Sequence, residues 1–73
     1  MWEIIMITDA KEFGAAIRAR RKELKYTQNY LSEFTGISVS FLSDLENGKP
    51  TCEIGKAIYI ANLLGLDITM TGR

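Results

Sequence analysis

Reactive side chains are scarce in this chain. It contains no histidine and a single cysteine, Cys52, which stands just before a helix with no visible base beside it. Neither a nucleophile–base pair nor a metal-activated water can be assembled from that inventory, so enzymatic activity is not expected. A lone cysteine makes no internal disulfide, and the usual zinc sets need histidine or several thiolates, so no metal or cofactor is expected either. What remains is ionic and hydrogen-bonding chemistry. Between residues 11 and 26, Lys11, Arg18, Arg20, Arg21, Lys22 and Lys25 stand against Glu12 and Glu23, a local charge of +4, while the rest carries −4 and the whole is neutral. A phosphate-facing stripe is therefore possible on a neutral chain. An ordinary solvated helix face has the same composition, and charge alone does not separate the two.

The 73 residues are 47% hydrophobic and 25% charged, enough for a small core and a solvated surface. A domain of this length buries only roughly 60% of the surface its unfolded chain exposes, so one domain is the limit. The longest apolar stretches, such as Ile4 to Ile7 and Ala57 to Ala61, fall far short of the roughly 20 residues that cross a bilayer. Glu3 stands where a secretory leader would be basic, so no leader is expected and the protein reads as cytoplasmic, with no membrane partner.

The segment Trp2 to Ile7 is apolar and β-branched, which predicts a strand over about 2–7. Asp9-Ala-Lys-Glu12 is a capping box that opens a helix over about 9–25. Its apolar seam of Phe13, Ile17 and Leu24 is interrupted by Arg21, and a buried cation needs a carboxylate partner. Thr27 caps a second helix over about 28–35, with Leu31 and Phe34 inward and Gly36 placed to stop it in a left-handed conformation. Ser38 caps a third over about 39–47, with Leu42 and Leu45 inward and Asn47-Gly48 at its end. After Pro50, Thr51 caps a fourth over about 52–64, ended by Gly65. Leu66 to Thr71 then alternates apolar and polar, predicting a strand over about 66–71.

Two short helices joined by Phe34-Thr-Gly36-Ile-Ser38 form a steep crossing that projects the second helix from the surface, the geometry of a groove reader. Arg21, Thr27-Gln28, Leu31, Gly36-Ile37-Ser38, Leu42-Ser43, Leu45-Glu46-Asn47-Gly48-Lys49 and Leu64-Gly65 accompany it. On these residues, the chain from about Phe13 to Leu66 resembles the Cro/repressor-like (XRE) helix-turn-helix family. The resemblance implies a mainly α, lambda-repressor-like bundle of about four helices that binds duplex DNA. It also implies Glu46 as the acid that pairs with Arg21. Gln28 is similar to the family glutamine that bonds a phosphate, at a helix start that itself favours an anion. Asn47 and Lys49 are similar to a second phosphate clamp, to which Arg20 or Lys22 could add charge. Base readout falls to the solvent side of the third helix, Val39, Ser40, Ser43 and Asp44. Val39 suits a thymine methyl, the serines several bases, and Asp44 a cytosine amino group. Asp44 could equally repel phosphate. None of these makes a bidentate base pair contact, so DNA shape is expected to contribute to preference.

The fourth helix carries Ile54, Ala57, Ile58, Ala61 and Leu64 on one stripe, with Tyr59, Ile60 and Leu63 on a flank outside it. A helix apolar on two sides needs two neighbours. Together with Leu66, Ile68 and Met70 on the last segment, this points to a homodimer whose short terminal strands meet at the interface. Pairing of both strands within one chain is the alternative. A two-fold dimer would set two reading helices about one DNA turn, ~34 Å, apart on a palindromic operator. The stretches Glu46 to Lys56 and Leu64 to Ile68 resemble the HipB-like branch. That likeness implies an antitoxin that represses its own operon and binds a HipA-like kinase toxin. A phage-type or restriction-controller repressor without a toxin, and a helix-turn-helix module that binds only protein, are the competing readings.

Overall fold

A computed structural model describes residues 6–73, and among them four α-helices follow one another: α1 (Ala10–Glu23), α2 (Gln28–Thr35), α3 (Val39–Glu46) and α4 (Ile54–Leu63). They form a helix-turn-helix bundle. Side-chain caps set where each begins. The Asp9 carboxylate accepts the Glu12 N–H at 2.8 Å. Glu12 reaches back one residue beyond the cap, accepting from the Thr8 N–H at 2.7 Å and the Thr8 hydroxyl at 2.9 Å. Thr27 and Ser38 accept the N–H groups of Tyr30 and Phe41, each at 3.0 Å. Gly36 ends α2 at φ +79°, a conformation that L side chains rarely adopt, and this lets α3 leave at a new angle within three residues.

The fourth helix starts later than the sequence predicts. A turn closed by the Cys52 N–H on the Lys49 carbonyl at 3.4 Å occupies the predicted first residues, and Glu53, not Thr51, caps the helix by accepting the Lys56 N–H. No strand forms among the described residues. Leu66 to Arg73 has no regular secondary structure, because a strand needs a ladder partner and none is found among the described residues. The predicted strand over 2–7 falls mostly outside the described residues, and Met6 and Ile7 are irregular and exposed.

Ile17, Leu31, Leu42, Ile60 and Leu64 are fully buried, and Ile37, Leu45, Ala57 and Ala61 complete the core. Two orientations differ from the sequence reading. Ile60, predicted on an interface flank, is 0% exposed, whereas Ile54 is 73% exposed and Ile58 is also on the outside. The helix is apolar around most of its circumference, so periodicity locates it without fixing its rotation. Phe34 is likewise exposed rather than inward. The inner side of α2's end is taken by Thr35, whose hydroxyl donates to the Leu31 carbonyl at 2.6 Å and accepts the Ile37 N–H at 3.1 Å.

Gly14 sets how closely α1 and α3 approach. It is buried, and a Cβ there would overlap the Leu45 carbonyl oxygen and lie 2.9 Å from that of Glu46. The last turn of α3 therefore rests on the bare backbone of α1. Gly14→Ala should lower stability despite alanine's better helix propensity, because forced overpacking typically costs about 1–3 kcal/mol. Each kcal/mol shifts the melting temperature of a domain this small by about 4–8 °C, which thermal circular dichroism will read. An unchanged or higher midpoint would mean that the two helices do not meet as closely as described.

Candidate nucleic-acid interface

One face of α1 carries Gly14, Ile17 and Arg21, all buried. Seven residues further along α1, Arg21 meets the same end of α3, where Glu46 closes the helix. The pair is bidentate, with Arg21 Nε on Glu46 Oε2 at 2.6 Å and an Arg21 terminal nitrogen on Oε1 at 2.9 Å. Their side chains are only 10% and 2% exposed. The other terminal nitrogen of Arg21 donates to the Tyr26 carbonyl at 2.8 Å, and Gln28 Nε2 donates to Glu46 Oε1 at 3.1 Å. No buried side-chain nitrogen or oxygen among the described residues is left without a hydrogen-bond partner. The hydrogen bond to Glu46, aided by its charge and opposed by burial, raises the Arg21 pKa above arginine's ordinary value. A raised folded-state pKa stabilises at every pH below the unfolded arginine's titration and is lost only as pH climbs through the folded value. The cation therefore persists across all working conditions.

This network joins the end of α1, the turn after it, the first residue of α2 and the last of α3. With its C-terminal end held, α3 presents Val39 and Ser40 to solvent, with Ser43 and Asp44 half-buried at the margin. The four side chains predicted to read bases thus share one open margin of α3. Gln28 is half-buried at the start of α2. One of its two amide hydrogens is used on Glu46, and a second remains to meet an anion. Asn47 is exposed and its amide approaches the Ser43 hydroxyl at 3.4 Å. Lys49 lies 3.4 Å from Asp44, with both side chains about half exposed. The predicted phosphate clamp and the predicted base reader therefore neutralise each other in the free chain.

Arg20 has a different role from the one predicted. Its Nε donates to the Leu64 carbonyl at 2.8 Å and a terminal nitrogen pairs with Glu23 at 2.6 Å. It closes the end of α4 against α1, a contact that no residue pattern announces because the acceptor is a backbone oxygen. Lys22 is exposed. Of the residues predicted for a dimer contact, Tyr59, Leu63, Ile68 and Met70 are exposed, Leu66 is half-buried against the core, and Ile60 is inside it. Ile68 and Met70 line an apolar cleft of about 460 Å³ with Ile7, Phe13, Ile54 and Ile58. Two features were missed or only partly placed by the sequence. Gly14 carries no chemical signal, and the exposed aromatic series Tyr26, Tyr30 and Phe34 was legible in its four-residue spacing but was assigned in part to the core.

A glycine-turned helix pair, with the second helix held outward by a buried ion pair, defines a helix-turn-helix domain of the DNA-binding repressor type. Comparison with known proteins agrees. A family model described as Helix-turn-helix matches residues 17–70, and the chain belongs to that family as an XRE-type transcriptional regulator. It is 40% identical over 57 residues to the uncharacterized HTH-type transcriptional regulator y4mF of Sinorhizobium fredii (strain NBRC 101917 / NGR234), covering 78% of this chain and 75% of that protein. It is 36% identical over 62 residues to the ImmF control region 10 kDa protein of Bacillus phage phi105, covering 85% and 69%. Among solved structures, a HipB–O4 20mer complex superposes with a TM-score of 0.84 at 22% identity, over 94% of this chain and 97% of that one. A HipB variant in an O2 20mer complex gives 0.86 at 21%, over 96% and 97%. Likeness at that identity establishes the fold.

Removing one partner of a buried ion pair strands the other, at a cost of roughly 3–5 kcal/mol, while replacing both by apolar residues is often neutral. Arg21→Met alone should therefore unfold most of the population at moderate urea, and the double change Arg21→Met with Glu46→Leu should recover most of the loss. Equal urea midpoints for wild type and Arg21→Met would show that the pair is not stabilising.

Proposed function

We propose that this protein is a transcriptional repressor that binds a palindromic DNA operator as a two-fold homodimer. We further propose that it is the HipB-like antitoxin of a type II toxin–antitoxin operon, acting on its own promoter and on a HipA-like kinase toxin. The observation that carries the DNA reading is the open face of α3, whose C-terminal end is held against α1 by Gly14 and by the Arg21–Glu46–Gln28 network. No catalytic step belongs to this reading, and the site of action is the cytoplasm.

The chemistry on DNA follows from the groups in place. The second amide hydrogen of Gln28, at the positive end of α2, bonds a backbone phosphate and fixes register without reading sequence. Lys49 gives up Asp44 for a phosphate, an exchange that costs little because exposed ion pairs are worth about 0–1 kcal/mol. Asp44 is then free to accept from a cytosine amino group, while Ser40, Ser43 and Val39 meet neighbouring base edges. Dimer formation covers the apolar cleft and the exposed Tyr59 and Leu63, which a monomer would leave in water. The fold shared with HipB supports the antitoxin branch. The likeness to a phage control-region protein favours one alternative, a phage-type repressor with no toxin, and the product of the adjacent open reading frame decides between them.

Electrophoretic shift assays test the DNA reading. Operator affinity should fall roughly 10³-fold between 50 and 200 mM salt if about six phosphates are contacted. Gln28→Ala should weaken all duplexes alike, whereas Ser40→Ala should change which duplex is preferred. A flat salt response, or the same loss of preference in both variants, contradicts it. For the dimer, Ile58→Glu should leave a folded monomer by sedimentation and weaken operator binding at least about tenfold, as loss of one half-site contact demands. A dimer that survives this change is not built on the α4 face.

A further inference from the structure

Lys56 stands in the first turn of α4, exposed, and its ammonium lies 5.6 Å from the centroid of the Phe41 ring on α3. Phe41 is itself half-buried and packs against the core. A ring face attracts and restrains an ammonium without cancelling its charge. Arg20, Arg21 and Lys49, by contrast, are each paired with a carboxylate. Among the described residues no such pair engages Lys56. The acid nearest to it in the chain, Glu53, is committed to the start of α4, where it accepts the Lys56 backbone N–H. Lys56 also does not line the apolar cleft on the other side of α4.

The place of Phe41 on α3 gives this perch a direction. Side chains three or four residues apart share a row along a helix. One row of α3 runs through Val39, Ser43 and Glu46, and it leads to Gln28 through the 3.1 Å bond to Glu46. On the other side of Ser40 the row is Phe41 and Asp44, and Lys49 approaches Asp44 at 3.4 Å. Lys56 and Lys49 therefore border one flank of α3, and Gln28 borders the other. A helix seated in the major groove, about 12 Å wide, has a phosphate strand on each side of it. A residue on each flank can meet a different strand.

We infer that Lys56 is a phosphate ligand of the DNA interface, on the flank of α3 opposite Gln28, and that Phe41 is the residue that positions it. The inference rests on the DNA reading above and adds to it a cation that is held in place before DNA arrives. Unlike Lys49, Lys56 gives up no carboxylate to reach the strand. Because the ring already limits its freedom, it loses less on ordering against phosphate than a lysine free in solvent. The contact fixes register and carries no sequence information.

Fluorescence anisotropy tests this with the 73-residue chain on two labelled duplexes, one from upstream of its own gene and one of mixed sequence. Lys56→Gln should weaken both alike, roughly fivefold per protomer at about 150 mM salt, and lower the slope of log affinity against log salt by about 0.9 per protomer. Lys56→Arg should keep the wild-type slope. Arg18→Gln removes an equal charge from an exposed position on α1 and should leave the slope unchanged, which separates a contact from net charge. Phe41→Leu keeps apolar bulk beside the core and removes the ring face. It should weaken binding roughly threefold alone and add nothing to Lys56→Gln, as a coupled pair requires. Melting temperature and sedimentation should stay at wild-type values in both Lys56 variants.

A wild-type slope and affinity in Lys56→Gln overturns the inference and leaves the DNA reading intact, whereas a flat slope in the wild type overturns the DNA reading itself. Weaker binding at an unchanged slope would make Lys56 a structural residue, an altered duplex preference would make it a base reader, and loss of self-association would make it a dimer contact; each overturns the inference. Additive losses from Phe41→Leu and Lys56→Gln overturn the positioning role of the ring.

Discussion

A guanidinium and a carboxylate taken out of water must stay together, and in this chain the place where they meet is also where α3 is aimed. Arg21 and Glu46 hold each other in a planar two-point contact, so α3 can neither slide along α1 nor turn about its own axis without breaking a charged hydrogen bond. Well-packed apolar residues could replace such a pair with little loss of stability. Its value here is therefore better understood as geometric. Gly14 supplies the complementary constraint on distance, seven residues earlier on the same face of α1, by admitting the Leu45 and Glu46 carbonyls against bare backbone. Angle and separation are thus fixed by two residues of one helix, and α2 is tied in through Gln28 and Tyr26.

That arrangement explains how so few buried side chains can support an exposed recognition element. The two helices that matter most on DNA are each eight residues long, too short to persist alone in water. Their ends are satisfied by Thr27, Gly36 and Ser38, and their inner faces by Leu31, Ile37, Leu42 and Leu45. Only after those demands are met does the outer face of α3 become free of structural duty, and it carries small or acidic side chains that do not pull it back into the core.

Much of this was legible because local chemistry and fold agree. Caps, the glycine stop and the apolar seam name three helices directly, and Arg21 declares itself by being a cation where a leucine belongs. Rotation of α4 was not legible, since Ile54, Ile58 and Ile60 are equal to any count of apolar periodicity and only the shape of the core chooses Ile60. The Arg20 contact with α4 was hidden for a related reason. A cation bonded to the Leu64 backbone carbonyl leaves no partner residue to find by pattern. Leu66 to Thr71 has strand composition without a strand, because alternation reports which side chains could share a face and says nothing about whether a neighbouring strand is present.

The neutral total charge is reconciled with a DNA-facing role by the difference between the two kinds of ion pair. Arg21 and Glu46 are sealed together and contribute no field that a ligand could use. Lys49 and Asp44 are about half exposed and weakly held, so their charges remain open to solvent and to exchange of partners. Net charge counts both pairs alike, and burial is what distinguishes them. The same separation by environment divides the surface into three chemistries: small polar groups on α3, aliphatic side chains around α4, and stacked rings on α2. Arg21 and Gly14 keep the helices bearing these surfaces in register.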